Sequence, residues 1–370
     1  GNREIGEAAR GIGDKMVRME LSVWQFLPSG PTAYGDSPYQ PLSTFAGNEL
    51  LVDIGDLIEL GLLSDDEVEE LTTLPDRYVD YGTLIPVKTR LLFLAASRFE
   101  ETVDYEILQD FNAFVSRNDS DWLHDYALFR ILKTKHGERP WHEWKPEYVH
   151  RDAEALAALE RNEADRIRSL KIIQYLFFRQ WFRLRDYAHE YGITLFGDMP
   201  ICIALDSADA WANRDILRID EDGKPDHVAG VPPDYFSEDG QLWGNPLYDW
   251  DQHEADGYAW WVDRLRATSE LTDLVRIDQF RGFESYWAVP ASSDTAREGA
   301  WEPGPGDAIF DAMREALGNL PIVAEDLGVI TPEVDGLRLR HRIPGMHVLQ
   351  FDVTDPGFEL ADVAENSVCY

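Results

Sequence analysis

Three acidic side chains stand where short apolar runs of the chain end, and they are the residues best suited to do chemistry. Asp198 follows residues 195–197, Asp278 follows 274–277, and Glu325 follows 322–324. The carboxyl ends of strands line the active site in parallel α/β architectures. Any one of these acids taken alone is explained as well by helix capping or by a salt bridge in a loop. Three of them on three successive strands favour a shared site.

The chemistry of that site is narrowed by the motifs that the sequence lacks. None of the nine histidines falls in an HExxH or another metal-binding spacing, and no GxSxG elbow, P-loop or strand-linked GxGxxG occurs. Cys202 and Cys369 are too few for a disulfide framework and too far apart for a metal site. We therefore expect no metal and no cofactor. Paired carboxylates without a metal or a nucleophilic serine suggest glycosidic chemistry.

Aromatic residues in polar loops agree with a sugar substrate. Tyr39 closes the segment 34–39, which is rich in Gly, Pro and polar residues, and Gln241 and Trp243 lie in the segment 241–246. Aromatic faces can stack on sugar rings, while amide and carboxylate groups hydrogen-bond to hydroxyls. Ordinary core packing explains most of the 12 tryptophans, but it explains loop aromatics beside strand ends less well.

The elements that must position these residues follow from the apolar pattern. Strand-like runs alternate with helical patterns, which predicts an α/β protein with parallel strands. One stretch, from about residue 57 to 189, contains almost no strand-like run, and residues 153–185 carry a helical apolar spacing. We expect this stretch to be a helical insertion between the first two strands. The predicted strands are 23–27, 194–201, 274–280, 322–327, 346–351 and 367–370.

Long, ordered segments throughout the chain resemble one family. The chain is identified as a member of the 4-α-glucanotransferases, also called amylomaltases or disproportionating enzymes, in glycoside hydrolase family 77 of the α-amylase clan. The resemblance covers nearly the whole chain. Segments that carry it include WQFLPSGPTAYGDSPYQPLSTFAGN, HDYALFRILKTKHGERPW, GDMPICIALDSADAWAN, GVPPDYFSEDGQLWGNPLYDW, VRIDQFRGFESYWAVP, PIVAEDLGVITPEV and PGMHVLQF.

This resemblance implies a (β/α)8 TIM barrel with inserted, mainly helical subdomains. Residues 1–56 would start the barrel, 57–189 would form the helical insertion, and 190–370 would continue the barrel, with a substrate-covering loop at 228–250. The resemblance also implies that the first barrel strand precedes this sequence and that a third catalytic carboxylate follows Tyr370. Residues 1–370 alone are therefore expected to be nearly inactive.

The catalytic roles are likewise implied by the resemblance. Asp278 would be the nucleophile, Arg276 would hold it ionised, and Glu325 would be the general acid and base with a raised pKa. Asp198 would lie at the floor of the site.

Substrate-binding residues carry over in the same way. Ser37 and Tyr39 would line a donor or acceptor subsite, and Gln241 and Trp243 would belong to the loop that closes over the glucan. Gln279 stands where the family usually has His. We expect this difference to alter the affinity for the sugar substrate and to leave the catalytic chemistry intact.

Composition bounds the partners and the location. Asp and Glu number 69 against 34 Lys and Arg, of which only seven are Lys, and the net charge is −35. Such a polyanion is repelled by phosphate backbones and anionic lipids, and no apolar run approaches the roughly 20 residues needed to span a bilayer. We expect neither a nucleic-acid nor a membrane partner, no obligate protein partner, and a halophilic cytoplasm. The family resemblance implies maltooligosaccharides and α-1,4-glucans as substrates.

The leading hypothesis is therefore a retaining 4-α-glucanotransferase. An α-glucan hydrolase, in which water accepts the glucosyl group, is the alternative among enzymes. A non-catalytic glucan-binding protein is the alternative from another class. The presence of both Asp278 and Glu325 argues against it, while the end of the sequence before the third carboxylate argues for it.

Overall fold

The computed structural model describes residues 4–75, 77–234, 237–328, 330–352 and 366–369. The chain divides into two compact units. The first unit comprises Gly1–Trp24, Ser29–Thr194 and Asp206–Ala212, and the second comprises Gln25–Pro28, Leu195–Leu205 and Asn213–Tyr370. Across the described ranges, no helix combines the length and the apolar character that crossing a bilayer requires.

The first unit is built from helices, as the sequence predicts for most of its length. Its α-helices are α1 Glu7–Arg18, α2 Ile54–Glu59, α3 Tyr81–Thr102, α4 Tyr105–Asn118, α5 His124–Lys135, α6 Pro146–Val149, α7 Ala153–Asn162, α8 Ala164–Glu190 and α9 Ala208–Ala212, and a π-helical turn, Asp119–Leu123, joins α4 to α5.

Aspartate caps and an apolar stripe explain these helices. The carboxylates of Asp80, Asp104 and Asp152 accept backbone N–H groups at the starts of α3, α4 and α7. The helical pattern over 153–185 is confirmed, although it divides into α7 and α8 at Glu163, whose backbone leaves the helical region. Buried residues of α8 recur at helical spacing and pack among aromatic rings of α3 and α4.

The second unit contains the strands that carry the predicted acids. Its parallel sheet has the order β2 Thr194–Pro200, β5 Leu274–Asp278 and β8 Ile322–Ala324, while the short strand β1 Val23–Gln25 belongs mostly to the first unit. Strand β5 runs parallel to β2 and to β8. A separate parallel pair joins β9 Gly345–His347 to β10 Ser367–Cys369. Each of the six predicted strands therefore overlaps an observed strand, in every case a shorter one, and β9 begins one residue before its prediction.

One of those predictions is wrong in its second half. The apolar run 346–351 was expected to be a single strand, but β9 ends at His347 and Leu349–Asp352 forms a helical turn, α14. An apolar run of this length is compatible with either structure, because periodicity alone does not separate a short buried strand from a helix. The last residue of the predicted strand 367–370, Tyr370, lies outside the described residues.

A second sheet of this unit was not predicted. It is antiparallel, with the order β4, β3, β6 and β7. Its strands are β3 His227–Val231, β4 Gln241–Pro246, β6 Ser285–Pro290 and β7 Ala300–Pro303. The segment 228–250, expected as a loop over the substrate, thus carries two strands. Whether it covers substrate stays a prediction, as does the division into 1–56, 57–189 and 190–370.

The remaining helices of the second unit follow its strands. They are α10 Trp250–Ala255, α11 Ala259–Leu271, α12 Asp307–Leu317 and α13 Pro332–Arg340. Within the parallel sheet, Phe196 and Leu274 are in register and pack with Val323 and Met346 in a buried apolar layer. Because strand side chains alternate with period two, Asp198 and Arg276 stand on the same face, two residues further along.

Candidate active site

The three predicted acids converge at the carboxyl ends of β2, β5 and β8. Asp198 is in register with Arg276 across the β2–β5 ladder. Arg276 and Asp278 are two residues apart on β5 and so share a face. The backbone N–H of Glu325 donates to the carbonyl oxygen of Ile277 (3.0 Å), which sets Glu325 beside the end of β5.

Arg276 lies between the two aspartates and binds both. One of its terminal nitrogens (Nη1) donates to both carboxylate oxygens of Asp198 (2.7 and 2.8 Å). The other (Nη2) is 2.7 Å from Oδ1 of Asp278. Burial opposes the charge on the guanidinium, but the carboxylates of Asp198 and Asp278 outweigh this effect and raise the pKa of Arg276. The Asp198 side chain is only 2% exposed, against 26% for Asp278, so Asp278 is the more accessible of the two.

Glu325 is a buried carboxyl with a perturbed pKa, as the sequence analysis expects. Burial raises its pKa most, and the negative charge of Asp278 raises it further. Two backbone N–H groups act in the opposite direction: that of Gln279 donates to Oε2 (2.9 Å) and that of Leu327 donates to Oε1 (3.0 Å). Burial and charge therefore favour the protonated form of this carboxyl, and the two N–H groups stabilise its ionised form by hydrogen bonding.

The backbone of Gln279 is what brings its N–H group to Glu325. Gln279 has a left-handed conformation (φ 57°, ψ 45°) directly after strand β5. That region is costly for a residue with a Cβ, and its occurrence next to reactive groups is typical of functional sites. From the sequence, only the side chain of Gln279 is expected to act at the site. No pattern in the sequence indicates the left-handed backbone.

A cavity of about 490 Å³ adjoins these residues. Four of the predicted site residues line it: Gln241, Trp243, Gln279 and Glu325. The indole N–H of Trp243 donates to the side-chain oxygen of Gln241 (3.1 Å), so the two residues form one wall. The sequence analysis missed other residues that line this cavity, which include Arg281, Tyr286, Trp287 and Trp301. Their neighbourhood depends on the unpredicted antiparallel sheet.

Ser37 and Tyr39 belong to the first unit. They follow a turn in which Gly35 and Asp36 have positive φ angles. The hydroxyl of Ser37 accepts the backbone N–H of Tyr39 (3.3 Å), and both residues are half-buried. Their role at a subsite stays a prediction.

The described residues also bear on the question of a metal. Nowhere in the described part of the chain are three or more His, Cys, Asp or Glu side chains grouped so as to hold a metal ion. The expectation that no cofactor is used stays a prediction.

Comparison with known proteins places this geometry in a family. Residues 1–370 match the family described as 4-alpha-glucanotransferase (Glyco_hydro_77). The chain is 48% identical over 332 residues to the 4-alpha-glucanotransferase of Thermus thermophilus, an alignment that covers 90% of this chain and 65% of that protein. It is 45% identical over 350 residues to that of a Synechocystis species, covering 94% and 69%. The chain thus spans about two thirds of the length of these relatives.

Solved structures agree with this assignment. The amylomaltase from Streptococcus agalactiae in complex with acarbose matches with a TM-score of 0.93 and 34% identity, over 100% of this chain and 76% of that one. The amylomaltase from Corynebacterium glutamicum matches with a TM-score of 0.80 over 99% of this chain and 51% of that one. At 18% identity, the second likeness supports the fold alone. The expected fold class, a (β/α)8 barrel with inserted helical subdomains, is confirmed by this likeness. The chain belongs to the 4-alpha-glucanotransferase family.

Proposed function

We propose that this chain carries the catalytic pair of a 4-α-glucanotransferase, which moves α-1,4-glucan segments between maltooligosaccharides with retention of configuration. The observation that carries the proposal is the arrangement of Arg276, Asp278 and Glu325, of which Glu325 lines the cavity. A carboxylate held by a guanidinium and a buried carboxyl with a raised pKa are the two groups that a retaining mechanism needs.

The first step breaks the glycosidic bond. An oxygen of the Asp278 carboxylate attacks the anomeric carbon and forms a covalent glucosyl ester, while Glu325 gives its proton to the departing glycosidic oxygen. Arg276 binds and orients Asp278, and the buried Asp198 holds Arg276 in turn. Without the second aspartate, the guanidinium would have only one anchor.

The second step transfers the glucosyl group to a sugar. Glu325, now ionised, removes the proton from the 4-hydroxyl of an acceptor, whose oxygen attacks the anomeric carbon and releases Asp278. Gln241, Trp243 and Gln279 are the candidates to contact the glucan in the cavity, and Ser37 and Tyr39 are candidates for a further subsite. Aromatic rings on the cavity wall favour a sugar as acceptor over water.

Transfer and hydrolysis give different products. The full-length gene product incubated with maltotriose should yield a ladder of longer maltooligosaccharides plus glucose. Asp278→Ala should abolish the ladder while glucan binding is largely kept. Glucose and maltose without longer products would identify the hydrolase alternative, and binding without turnover would identify the non-catalytic one. Wild-type turnover by Asp278→Ala would refute the nucleophile assignment.

We also propose that this protein is located in a cytoplasm rich in salt. The support is the charge of −35 with only seven Lys, spread along the chain. The same charge disfavours nucleic acid and anionic membranes as partners.

A further inference from the structure

Two aromatic side chains reach the same cavity from different strands of the antiparallel sheet. Trp243 on β4 and Tyr286 on β6 both line the cavity and both pack against the buried cluster of Ala229, Leu247 and Ala288. Strand β3, which carries Ala229, lies between β4 and β6, and Ala229 pairs with Ala288. Ala229 and Leu247 of this cluster also line the cavity.

The hydroxyl group of Tyr286 is anchored by a carboxylate of the neighbouring strand. It donates to Oε2 of Glu302 (3.0 Å), which stands opposite Tyr286 on β7. Arg218 donates to the same oxygen (2.6 Å). Burial and the charge of Glu302 raise the pKa of Tyr286 to about 12, so the hydroxyl stays protonated near neutral pH. The ring is thereby held in one orientation by a satisfied hydrogen bond.

A core role alone does not account for this arrangement. A tyrosine whose hydroxyl is already paired could be covered completely, yet Tyr286 is only half-buried and contributes to the cavity wall. Trp243, which packs against the same cluster, is also half-buried. A rigid ring that needs no further hydrogen bond binds an apolar face with little loss of side-chain entropy.

We propose that Tyr286 is a sugar-binding residue and that, with Trp243, it forms a two-ring platform for one glucose unit of the glucan. The C–H face of a pyranose ring would lie on the platform while its hydroxyl groups reach water or polar neighbours. The cavity is shared with Gln279 and Glu325, so the same glucan can extend from the catalytic pair to the platform. This inference rests on the proposed function and adds a residue to it.

Equilibrium binding tests the platform without turnover. In the Asp278→Asn background, dissociation constants for maltose, maltotriose, maltopentaose and maltoheptaose are measured by titration calorimetry, with and without Tyr286→Leu. We expect about tenfold weaker binding of maltoheptaose, the size of one aromatic contact. Maltose should lose much less, because a short glucan can bind elsewhere in the cavity. Tyr286→Phe, which keeps the ring, should stay within about threefold.

A tyrosine outside the cavity provides the matched control. Tyr105→Leu removes a tyrosine ring that is 76% exposed on α4 and should leave every dissociation constant unchanged. Unaltered maltoheptaose binding in Tyr286→Leu would overturn the platform alone, as would an equal loss for maltose, since that would signal a general disturbance of the cavity. Failure of the Asp278→Asn protein to bind any glucan would contradict the proposed function itself, and the platform with it.

Discussion

At the scale of single residues, Glu325 has to serve first as an acid and then as a base. Burial and the charge of Asp278 favour its protonated form, whereas the N–H groups of Gln279 and Leu327 favour the ionised form. Formation of a glucosyl ester would neutralise Asp278 and remove one of the two causes that raise the pKa. The proposed intermediate would therefore itself shift Glu325 toward the base that the second step requires.

Asp278→Asn imitates that neutralisation and should lower the pKa of Glu325. The sign follows because an amide no longer repels the ionised carboxylate, and Arg276, freed of one partner, attracts it. Carbon-13 NMR titration of labelled Glu carboxyl groups measures the shift. Asp294→Asn, at an exposed site, is the control and should not move the titration. An unchanged or higher pKa in Asp278→Asn would contradict the coupling.

Arg276→Lys should lower kcat by about a hundredfold, comparable to the loss of one preorganised electrostatic contact. A single ammonium group cannot reproduce a fork that binds Asp198 with one nitrogen and Asp278 with the other. Initial rates with maltotriose give kcat. Titration calorimetry with an inhibitor, in the absence of an acceptor sugar and with Asp278 intact, gives the dissociation constant. Arg266→Lys, in an exposed pair with Asp263, should leave kcat unchanged. A kcat within threefold of wild type would remove the anchoring role.

At the scale of elements, the turn after β5 joins the nucleophile to the acid. Asp278 ends the strand, and the next residue takes the left-handed conformation that directs its N–H group to Glu325. The geometry of the pair thus depends on one backbone conformation as well as on side chains.

Gln279→Gly and Gln279→Val separate the contribution of the left-handed backbone from that of the side chain. Glycine adopts the left-handed region freely, so it should keep or slightly increase the free energy of unfolding, whereas valine should lower it by about 1–2 kcal/mol and lower kcat more than glycine does. Urea denaturation and initial rates provide the two measurements. Arg266→Gly and Arg266→Val, inside helix α11, are the control pair. There the glycine variant should have the lower free energy of unfolding, because glycine is the poorer helix former. Equal stability of the two Gln279 variants would show that the left-handed turn is not maintained.

Elements formed by residues close in the sequence could be predicted, whereas elements formed by pairing between distant segments could not. Strands β2, β5 and β8 were found because each is a local apolar run that ends at an acid. The antiparallel sheet was not found, because its strands contain Gly, Pro and aromatic residues and its pairing joins β3 to the distant β6. Tyr286 therefore gave no signal. The bond between Arg276 and Asp198 likewise depends on the register between two strands that the sequence does not state.

At the scale of the whole molecule, charge is the dominant feature. The net charge of −35 makes like charges repel over the surface, and local ion pairs such as Arg340–Asp307 offset only part of this repulsion. The Debye length falls from about 10 Å at 0.1 M salt to about 3 Å at 1 M. Screening should therefore stabilise the compact state more than it weakens exposed pairs, which contribute little individually.

Molar KCl should accordingly raise the thermal unfolding midpoint. We expect a rise of about 4 °C between 0.1 and 2 M KCl, which corresponds to roughly 3 kcal/mol for a chain of this size. A matched variant tests the cause: Glu59, Glu101, Glu106 and Asp294 are exposed acids, and replacing them with the corresponding amides removes four negative charges. This variant should have a higher midpoint than the parent at 0.1 M KCl and a smaller rise with salt, because it has less repulsion to screen. Differential scanning calorimetry measures the unfolding midpoints of both proteins.

An unchanged or lower midpoint of the parent at 2 M KCl would contradict self-repulsion as the dominant electrostatic effect. Equal salt responses of the parent and the variant would assign the stabilisation to salt effects on apolar surface instead.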